Sequence, residues 1–355
     1  MSDREFDDAV KRATRLLAVS RAPVIAGLGA DAAGVVAAYR LAEKLGAPID
    51  HGAADSALRH QAVLQDFGLM LVSPGEARNR ADTFLIVGDR PAEARPDLIQ
   101  SLITDRPGDG SAGTAARRIV AIASHAPSAA QGVATVELLE APPPNLPGVL
   151  GALRARAGGR PLASGYGAET IDSCVATLRA ASFGVAIWSP EELDSLAIEM
   201  LAGLIQDLNA STRWSGLSVS ADPTITGAAM AFGWMSGQPL RSSFGRGRAE
   251  NDPWRCEARR MVESGEADAL VWISAFGEPP PHWADAVPTV VVADASVHAN
   301  GAAAVLRVGR PGVDHAGVLY DHRTGTLAEF LPNGPSGAQS VAEALTRIVD
   351  GLDAR

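Results

Sequence analysis

Short apolar runs alternate along this chain with segments of helical periodicity, and this alternation most constrains its fold. The runs 23–27, 81–87 and 119–122 predict buried strands, whereas 9–19 and 32–45 carry apolar residues at helical spacing. Strands that alternate with helices form parallel sheets that are covered on both faces. The sequence therefore predicts an α/β fold.

Two helix boundaries are predicted from single residues. Gly46 is expected to end the helix over 32–45, because glycine readily adopts the left-handed conformation that follows a last turn. Ser73-Pro74-Gly75-Glu76 has the pattern of a capping box with proline at the first helical position, and it is expected to start a short helix through Asn79.

A second series of strands and helices follows a proline-rich stretch at 141–147. Its expected elements are strands at 183–188, 214–219, 269–273, 289–292 and 303–308, a tight turn at Arg323-Thr324-Gly325, and helices at 191–208 and 337–352. We therefore expect two lobes, 1–145 and 146–355. Part of 300–355 is expected to pack back on the first lobe.

The two halves resemble each other around one strand. Ala81-Asp82 precedes one buried run and Ala267-Asp268 precedes another, and each run is followed by a turn that contains proline. Each pair also follows a segment rich in Glu and Arg. This repetition predicts two related parallel-sheet lobes.

Composition limits the classes of function. A net charge of −10 argues against a nucleic-acid-binding surface. Cys174 and Cys256 lie far apart, so they cannot supply an iron–sulfur cluster or a zinc site alone, and they suit a reducing cytoplasm. The charged first residues do not form a signal peptide, and no apolar run approaches the ~20 residues of a membrane helix. A cytoplasmic protein without membrane contact is expected.

Gly27-Leu28-Gly29 lies where a dinucleotide phosphate loop would lie, between a strand and a helix, and Asp50 ends the next strand. The spacing is not GxGxxG, and Asp31 places a negative charge where pyrophosphate would bind. A glycine turn with an acidic helix cap is the favoured interpretation.

Two further patterns carry little weight. Gly108-Asp109-Gly110 resembles part of a thiamine diphosphate motif, but no Asn follows at the spacing of a magnesium ligand. His51, Asp55 and Ser56 are the residue types of a hydrolase triad, yet no GxSxG elbow surrounds the serine. The histidines also lack the spacing of a metallohydrolase centre.

The segment 241–248 is the one basic, glycine-containing loop in an acidic chain. Arg241, Arg246 and Arg248 are suited to carboxylates or phosphates. The alternative is a solvated or subunit-facing loop whose arginines pair with nearby acids.

Five segments together resemble the B subunit of formylmethanofuran dehydrogenase, a molybdopterin-dependent enzyme. They are the segment 50–68, which is similar to the family's active-site segment, its flanks at 41–50 and 75–82, the glycine loop at 234–247, and 312–321. The resemblance implies two lobes of the molybdopterin oxidoreductase type. It spans most of the chain and is patchy after residue 90.

The departures from that family concern its redox chemistry. Ser56 stands at or next to the cysteine that holds molybdenum or tungsten, and the family's N-terminal iron–sulfur cysteines are absent, which implies loss of that domain. Gly88-Asp89-Arg90 replaces a turn of the pterin pocket, of which Gly237 would be another relict. The expectation is no bound metal or cofactor and no catalytic residue in this chain.

The pattern is most similar to the B subunit of bacterial formyltransferase/hydrolase complexes. The resemblance implies a scaffold beside an amidohydrolase-type A subunit, a C subunit and a formyltransferase D subunit. Methanofuran, which has a glutamate-rich chain, would be a shared carrier that docks on Arg241, Arg246 and Arg248. The alternative is the catalytic subunit of a molybdopterin-dependent dehydrogenase, because serine ligates molybdenum in related oxidoreductases.

Overall fold

The computed structural model describes residues 2–105, 117–130, 134–162, 167–332, 334 and 337–354. It divides into two compact units. The first comprises Met1–Leu58, Asp222–Tyr320 and Leu327–Arg355, and the second comprises Arg59–Ala221 and Asp321–Thr326. Each unit has parallel strands packed with helices, so the predicted α/β class is confirmed. The Gly108-Asp109-Gly110 pattern lies outside the described residues.

The secondary structure alternates as the sequence predicts. The helices are α1 (Asp3–Val19), α2 (Ala32–Leu45), α3 (Ala54–Phe67), α4 (Pro74–Arg80), α5 (Arg90–Ala94), α6 (Pro96–Thr104), α7 (Leu146–Ala157), α8 (Ala168–Arg179), α9 (Ser195–Leu208), α10 (Ile225–Ser236), α11 (Ala258–Glu263) and α12 (Val341–Asp353). The strands are β1 (Pro23–Gly29), β2 (Pro48–Ile49), β3 (Thr83–Val87), β4 (Arg118–Ala123), β5 (Val136–Glu140), β6 (Gly184–Trp188), β7 (Trp214–Ser218), β8 (Ser242–Ser243), β9 (Glu250–Asn251), β10 (Ala269–Ser274), β11 (Thr289–Ala293), β12 (Ala304–Arg307), β13 (Gly317–Asp321) and β14 (Thr326–Phe330).

The sheet of the first unit has the order β12-β11-β10-β1-β2-β8-β9. The first five strands are parallel, whereas β8 and β9 pair antiparallel. One face packs against α1, α2, α10 and α12, and the other packs against α11. Along β1, Val24 and Ala26 belong to one core and Ile25 to the other. Burial on both faces explains why the strand is continuously apolar.

The sheet of the second unit is fully parallel, in the order β5-β4-β3-β6-β7. Helices α7, α8 and α9 cover one face, and α4, α5 and α6 cover the other. The central strand β3 is buried at all five positions. The carboxyl ends of these strands lie at one edge of the sheet, where functional groups of α/β proteins collect.

The two units do not correspond to the expected lobes 1–145 and 146–355. Strands β6 and β7 continue the sheet of β3 and β4, whereas β10, β11 and β12 pair on the side of β1. The proline-rich stretch contains a short 3₁₀ turn, Pro143–Asn145, inside the second unit. The prediction was wrong because strands buried on both faces carry the same apolar pattern in either sheet, so the pattern cannot assign them.

The predicted helix ends are confirmed with one difference. Gly46 follows α2 in the left-handed conformation with φ 63°. Ser73 caps α4 by accepting a hydrogen bond from the Glu76 N–H, with Pro74 at the first turn. The reciprocal half of the capping box is not formed, because the Glu76 carboxylate accepts a hydrogen bond from Arg80 at 2.6 Å. The helix ends at Arg80, one residue beyond the expected end at Asn79.

The repeated Ala-Asp pairs occupy equivalent places in the two sheets. The Asp82 carboxylate accepts the N–H of Ser182 at 2.8 Å, just before β6, which neighbours β3. The Asp268 carboxylate accepts the N–H groups of Arg21 at 2.8 Å and Ala22 at 3.1 Å, just before β1, which neighbours β10. Each aspartate thus joins the start of its strand to the start of the adjacent parallel strand.

Candidate functional site

A buried ion pair between Asp50 and Arg241, to which the exposed Asp55 adds a second carboxylate, lies at the carboxyl end of β2 in the first unit. Arg241 Nε lies 3.1 Å from Asp50 Oδ1, and Arg241 Nη2 lies 2.7 Å from Asp55 Oδ1. The other oxygen of Asp50 accepts the N–H of Ala258 at 3.0 Å. Burial raises the pKa of Asp50 although Arg241 lowers it. Burial lowers the pKa of Arg241, but Asp50 and Asp55 outweigh it and the net pKa is raised.

His51 is buried beside this group and is held in one orientation. Its Nδ1 accepts the N–H of Ala53 at 3.0 Å, so the proton of the neutral ring lies on Nε2, 3.0 Å from Thr224 Oγ1. The Thr224 hydroxyl donates to Asp222 at 2.8 Å. Burial lowers the pKa of His51 to about 4, against an opposing effect of Asp222. The imidazole is therefore neutral at pH 7.

Ser56 lies in the first turn of α3, and its side chain makes a local hydrogen bond at the start of that helix. Its Oγ donates to the carbonyl of Ala53 at 2.9 Å. Asp55 faces Arg241, and both ring nitrogens of His51 have other partners. The three residue types of a triad are thus adjacent in sequence but do not form a nucleophile–base–acid chain.

The segment Gly27-Leu28-Gly29 forms the carboxyl end of β1, and the helix that follows it has an acidic N-terminal cap. Gly27 has φ 80°, and a Cβ there would lie 2.6 Å from the carbonyl oxygen of Ile273. Asp31 precedes α2 and accepts the N–H of Gly34 at 3.0 Å. The carboxylate therefore occupies the helix N-terminus, as favoured over a dinucleotide loop.

The turn Gly88-Asp89-Arg90 follows β3 in the second unit, and a carboxylate from the same unit fills it. Glu192 accepts the N–H groups of Asp89 at 3.0 Å and Arg90 at 2.9 Å. Gly88 has φ 84°, and a Cβ there would lie 2.0 Å from Glu192 Oε2. Burial raises the pKa of Glu192 although these hydrogen bonds lower it. The Asp89 carboxylate accepts the N–H of Ser124 at 3.1 Å.

Sequence reasoning missed Glu192, because it is far from Gly88 in the chain. The order of the strands in the sheet would have indicated it. Glu192 follows β6, which lies next to β3, and the carboxyl ends of parallel neighbours lie at one edge. Gly237, assigned to the same relict pocket, belongs to the first unit, where it ends α10 with φ 67°.

The basic loop is divided between two roles. Arg241 is buried and paired as described above, which contradicts its expected exposure as an anion-docking residue. Arg246 and Arg248 lie between β8 and β9 with side chains 74% and 79% exposed, and both pair with Glu250, at 3.3 and 3.0 Å. Two cations therefore share one carboxylate, and an excess positive charge remains at the surface.

Neither a metal-ligand cluster nor a thiol with a lowered pKa is found in the part of the chain that the structure describes. Among the described residues, no group of three or more His, Cys, Asp and Glu side chains could hold a metal ion. Burial raises the pKa of Cys174 to about 12 and that of Cys256 to about 11, so both thiols are protonated at pH 7.

Within the same residues, no helix has the length and apolar character needed to cross a membrane.

Comparisons with known proteins give a consistent assignment. The chain is 38% identical over 356 residues to the B subunit of the formyltransferase/hydrolase complex (Fhc) of Methylorubrum extorquens, covering 98% of this chain and 95% of that protein. It is 24% identical to the B subunit of tungsten-containing formylmethanofuran dehydrogenase 2 of Methanocaldococcus jannaschii, over 76% of this chain and 64% of that protein. No protein-family model matches the chain.

A solved structure agrees with the sequence comparison. The chain matches, with a TM-score of 0.89 and 35% identity, a chain in the crystal structure of the formyltransferase/hydrolase complex (FhcABCD) from Methylorubrum extorquens in complex with methylofuran. The match covers 100% of this chain and 97% of that chain. The protein described here belongs to the family of B subunits of formyltransferase/hydrolase complexes.

Proposed function

We propose that this chain is a non-catalytic scaffold subunit of a cytoplasmic formyltransferase/hydrolase complex. The complex would convert formyl-tetrahydromethanopterin, through formylmethanofuran, to formate. An amidohydrolase-type A subunit would perform hydrolysis, a D subunit would perform formyl transfer, and a C subunit would complete the assembly. The observation that carries this proposal is the near full-length identity of 38% to the B subunit of such a complex.

The residues at the positions of the redox centre do not fit a molybdopterin. The hydroxyl of Ser56 is engaged by the carbonyl of Ala53. In the second unit, Glu192 already satisfies the N–H groups of Asp89 and Arg90, and its charge would repel the pyrophosphate of a pterin nucleotide. These contacts support lobes that descend from the molybdopterin oxidoreductase type and have lost its cofactor.

The second candidate is the catalytic subunit of a molybdopterin-dependent formylmethanofuran dehydrogenase. The 24% identity to tungsten-containing relatives favours it. Metal and pterin analysis of the purified complex separates the two. We expect no stoichiometric molybdenum, tungsten or pterin in association with this subunit. About one equivalent of either metal with bound pterin would favour the dehydrogenase.

We propose further that Arg246 and Arg248 dock the anionic chain of a methanofuran-type carrier. The solved relative is in complex with methylofuran. The two guanidinium groups are exposed and share the single carboxylate of Glu250, so they can accept another anion without desolvation of a buried group. Arg241 would anchor the base of the loop through Asp50 and would not contact the carrier.

A double substitution tests the docking site. Arg246→Ala with Arg248→Ala should raise the KM of the assembled complex for the formylated carrier by about threefold to tenfold at low salt, because exposed ion pairs contribute roughly 0–1 kcal/mol each. The difference should shrink as salt screens the charges. Arg12→Ala with Arg15→Ala, on the exposed face of α1, is the matched control. An unchanged KM in a normally assembled double variant would exclude this loop.

A further inference from the structure

A cavity of about 520 Å³ opens in the first unit at the carboxyl ends of β1 and β10. The sheet order places β2 on one side of β1 and β10 on the other, so the chain leaves these strands in opposite directions. Small-molecule sites in open parallel sheets occur at such switch points. The volume also lies in the range of small-molecule pockets, about 300–1,000 Å³.

The wall of the cavity is acidic. Five carboxylates line it against two arginines, and the His51 that also lines it is neutral. Arg241 is committed to Asp50 and Asp55, and Arg259 lies 2.9 Å from Glu263. The excess negative charge disfavours phosphates and carboxylates in the cavity and attracts cations.

Glu278 is the carboxylate that best suits a ligand. Its backbone is fixed, because its N–H donates to Ser274 Oγ at 2.9 Å and its carbonyl accepts the indole N–H of Trp272 at 3.2 Å. Its Oε2 faces Gly52, 3.8 Å from the position that a Cβ would take there. Within the described residues, no hydrogen bond or ion pair to this carboxylate is present. The residue is partly exposed to solvent, and the partial desolvation of its carboxylate and the nearby Asp222 both raise the pKa of Glu278.

Two tryptophans give the cavity an aromatic wall. The indoles of Trp272 and Trp283 line it, with ring centroids 6.1 Å apart and planes at 78°. Indole is the best of the aromatic rings for attracting a cation to its face, and it also packs against a hydrocarbon body. A carboxylate beside an aromatic wall therefore selects an organic cation over a hydrated inorganic one.

We propose that this cavity binds a small organic ammonium ion with an apolar body. The ammonium group donates hydrogen bonds to Glu278, and the body packs against Trp272 and Trp283. This site is separate in charge and chemistry from the exposed arginines that are proposed to dock an anion, and it does not depend on that proposal.

Three probes of one shape test the charge preference on the assembled complex. Benzylamine, which is protonated at pH 7, benzyl alcohol and benzoate are titrated by calorimetry at low salt. Benzylamine is expected to bind saturably with one site per copy of this chain, benzyl alcohol at least about tenfold more weakly, and benzoate not at all. Equal binding of the three probes, or no saturable binding of benzylamine, would overturn the proposal without any substitution.

A matched pair of variants locates the site. Glu278→Gln should weaken benzylamine binding by about tenfold or more, because a charged acceptor is replaced by a neutral one of the same shape. Glu199→Gln makes the same change on α9 of the second unit and should leave the affinity unchanged. If both variants bind benzylamine as the wild type does, the ammonium site is not in this cavity.

Discussion

The strands β3 and β10 begin alike and end differently. At their starts, Asp82 and Asp268 make the same backbone connection to the neighbouring strand. At their ends, the turn after β3 is closed by Glu192, whereas the segment after β10 carries Glu278 into an open cavity. The comparison separates residues that hold a parallel sheet together from those at the edge where ligands bind.

The two carboxylates also differ in what neutralises them. Glu192 receives two backbone N–H groups, so its position is a structural contact inside the second unit. Glu278 is exposed to solvent and has no such donor among the described residues, although partial desolvation raises the pKa of both carboxylates. The number of protein hydrogen-bond donors to each carboxylate therefore distinguishes the closed end of β3 from the open end of β10. The amino-acid composition does not reveal this difference.

The largest expected effect concerns Arg241, which lines the cavity at the open end and pairs with the buried Asp50. Arg241→Met should lower the free energy of unfolding by about 3–5 kcal/mol, because it leaves Asp50 charged, buried and without its cation. Arg248→Ala, in the same loop but exposed, should change it by less than about 0.5 kcal/mol. Chemical denaturation of both variants measures the difference. Similar losses would mean that Arg241 is not a buried structural residue.

A side chain added at Gly88, in the turn after β3, tests whether Glu192 closes that turn. Gly88→Ala should cost about 2–4 kcal/mol, because the new Cβ clashes with the carboxylate and the positive φ is strained. In a Glu192→Ala background, Gly88→Ala should cost less than in the wild type, because the carboxylate that it clashes with is absent. Gly68→Ala is the control, since it has φ 71° and nothing within 4 Å of the new Cβ. If Gly88→Ala costs no more than Gly68→Ala, the turn is open.

Substitution of the aspartate that precedes β3 and of the one that precedes β10 should lower stability by similar amounts. Asp82→Asn and Asp268→Asn should each cost about 1 kcal/mol at pH 7, because a charged acceptor of backbone N–H groups becomes a weaker one. Guanidinium titrations of the two variants and the wild type give these values. A large effect at one position and none at the other would break the structural equivalence.

The pH dependence of Asp268 sharpens that test. Desolvation raises its pKa, but hydrogen bonds from Ser20, Arg21 and Ala22 outweigh this and hold the pKa below its ordinary value of 3.8. A depressed carboxyl pKa stabilises the fold above the ordinary value, and the contribution is lost as the pH falls through the folded-state pKa. The stability difference between wild type and Asp268→Asn should therefore be constant above about pH 5 and vanish in stronger acid.

Local features of the fold could be predicted from the sequence, because local contacts decide them. The end of α2 at Gly46 and the start of α4 at Ser73 depend on neighbouring residues. The Ala-Asp repetition also corresponds to equivalent positions in two sheets. The assignment of β6 to the sheet of β3 depends on contacts between distant segments, and the apolar pattern of a strand buried on both faces does not encode its partner.

The candidate site was predicted in its residues more than in its contacts. Ser56 and the arginine loop were identified, and Asp50 was considered only for a disfavoured dinucleotide loop. The burial of Arg241 was not predicted, because its partners come from another segment. Glu192 and Glu278 lie far in sequence from the groups they meet and belong to no motif. Their roles follow from the order of strands in the sheet, which a single sequence does not provide.

The smallest expected effect concerns Ser56, which the resemblance to the redox relatives places at or next to their metal ligand. Ser56→Ala removes one hydrogen bond to the carbonyl of Ala53 within a helical turn, and it should cost no more than about 1 kcal/mol. Ser101→Ala, which loses the same kind of bond to Leu98, should cost a similar amount. In the assembled complex, formyl hydrolysis should stay within about twofold of the wild type. A loss of about 100-fold or more with intact assembly, the size expected for a nucleophile or base, would show that Ser56 takes part in the chemistry and that this chain is no mere scaffold.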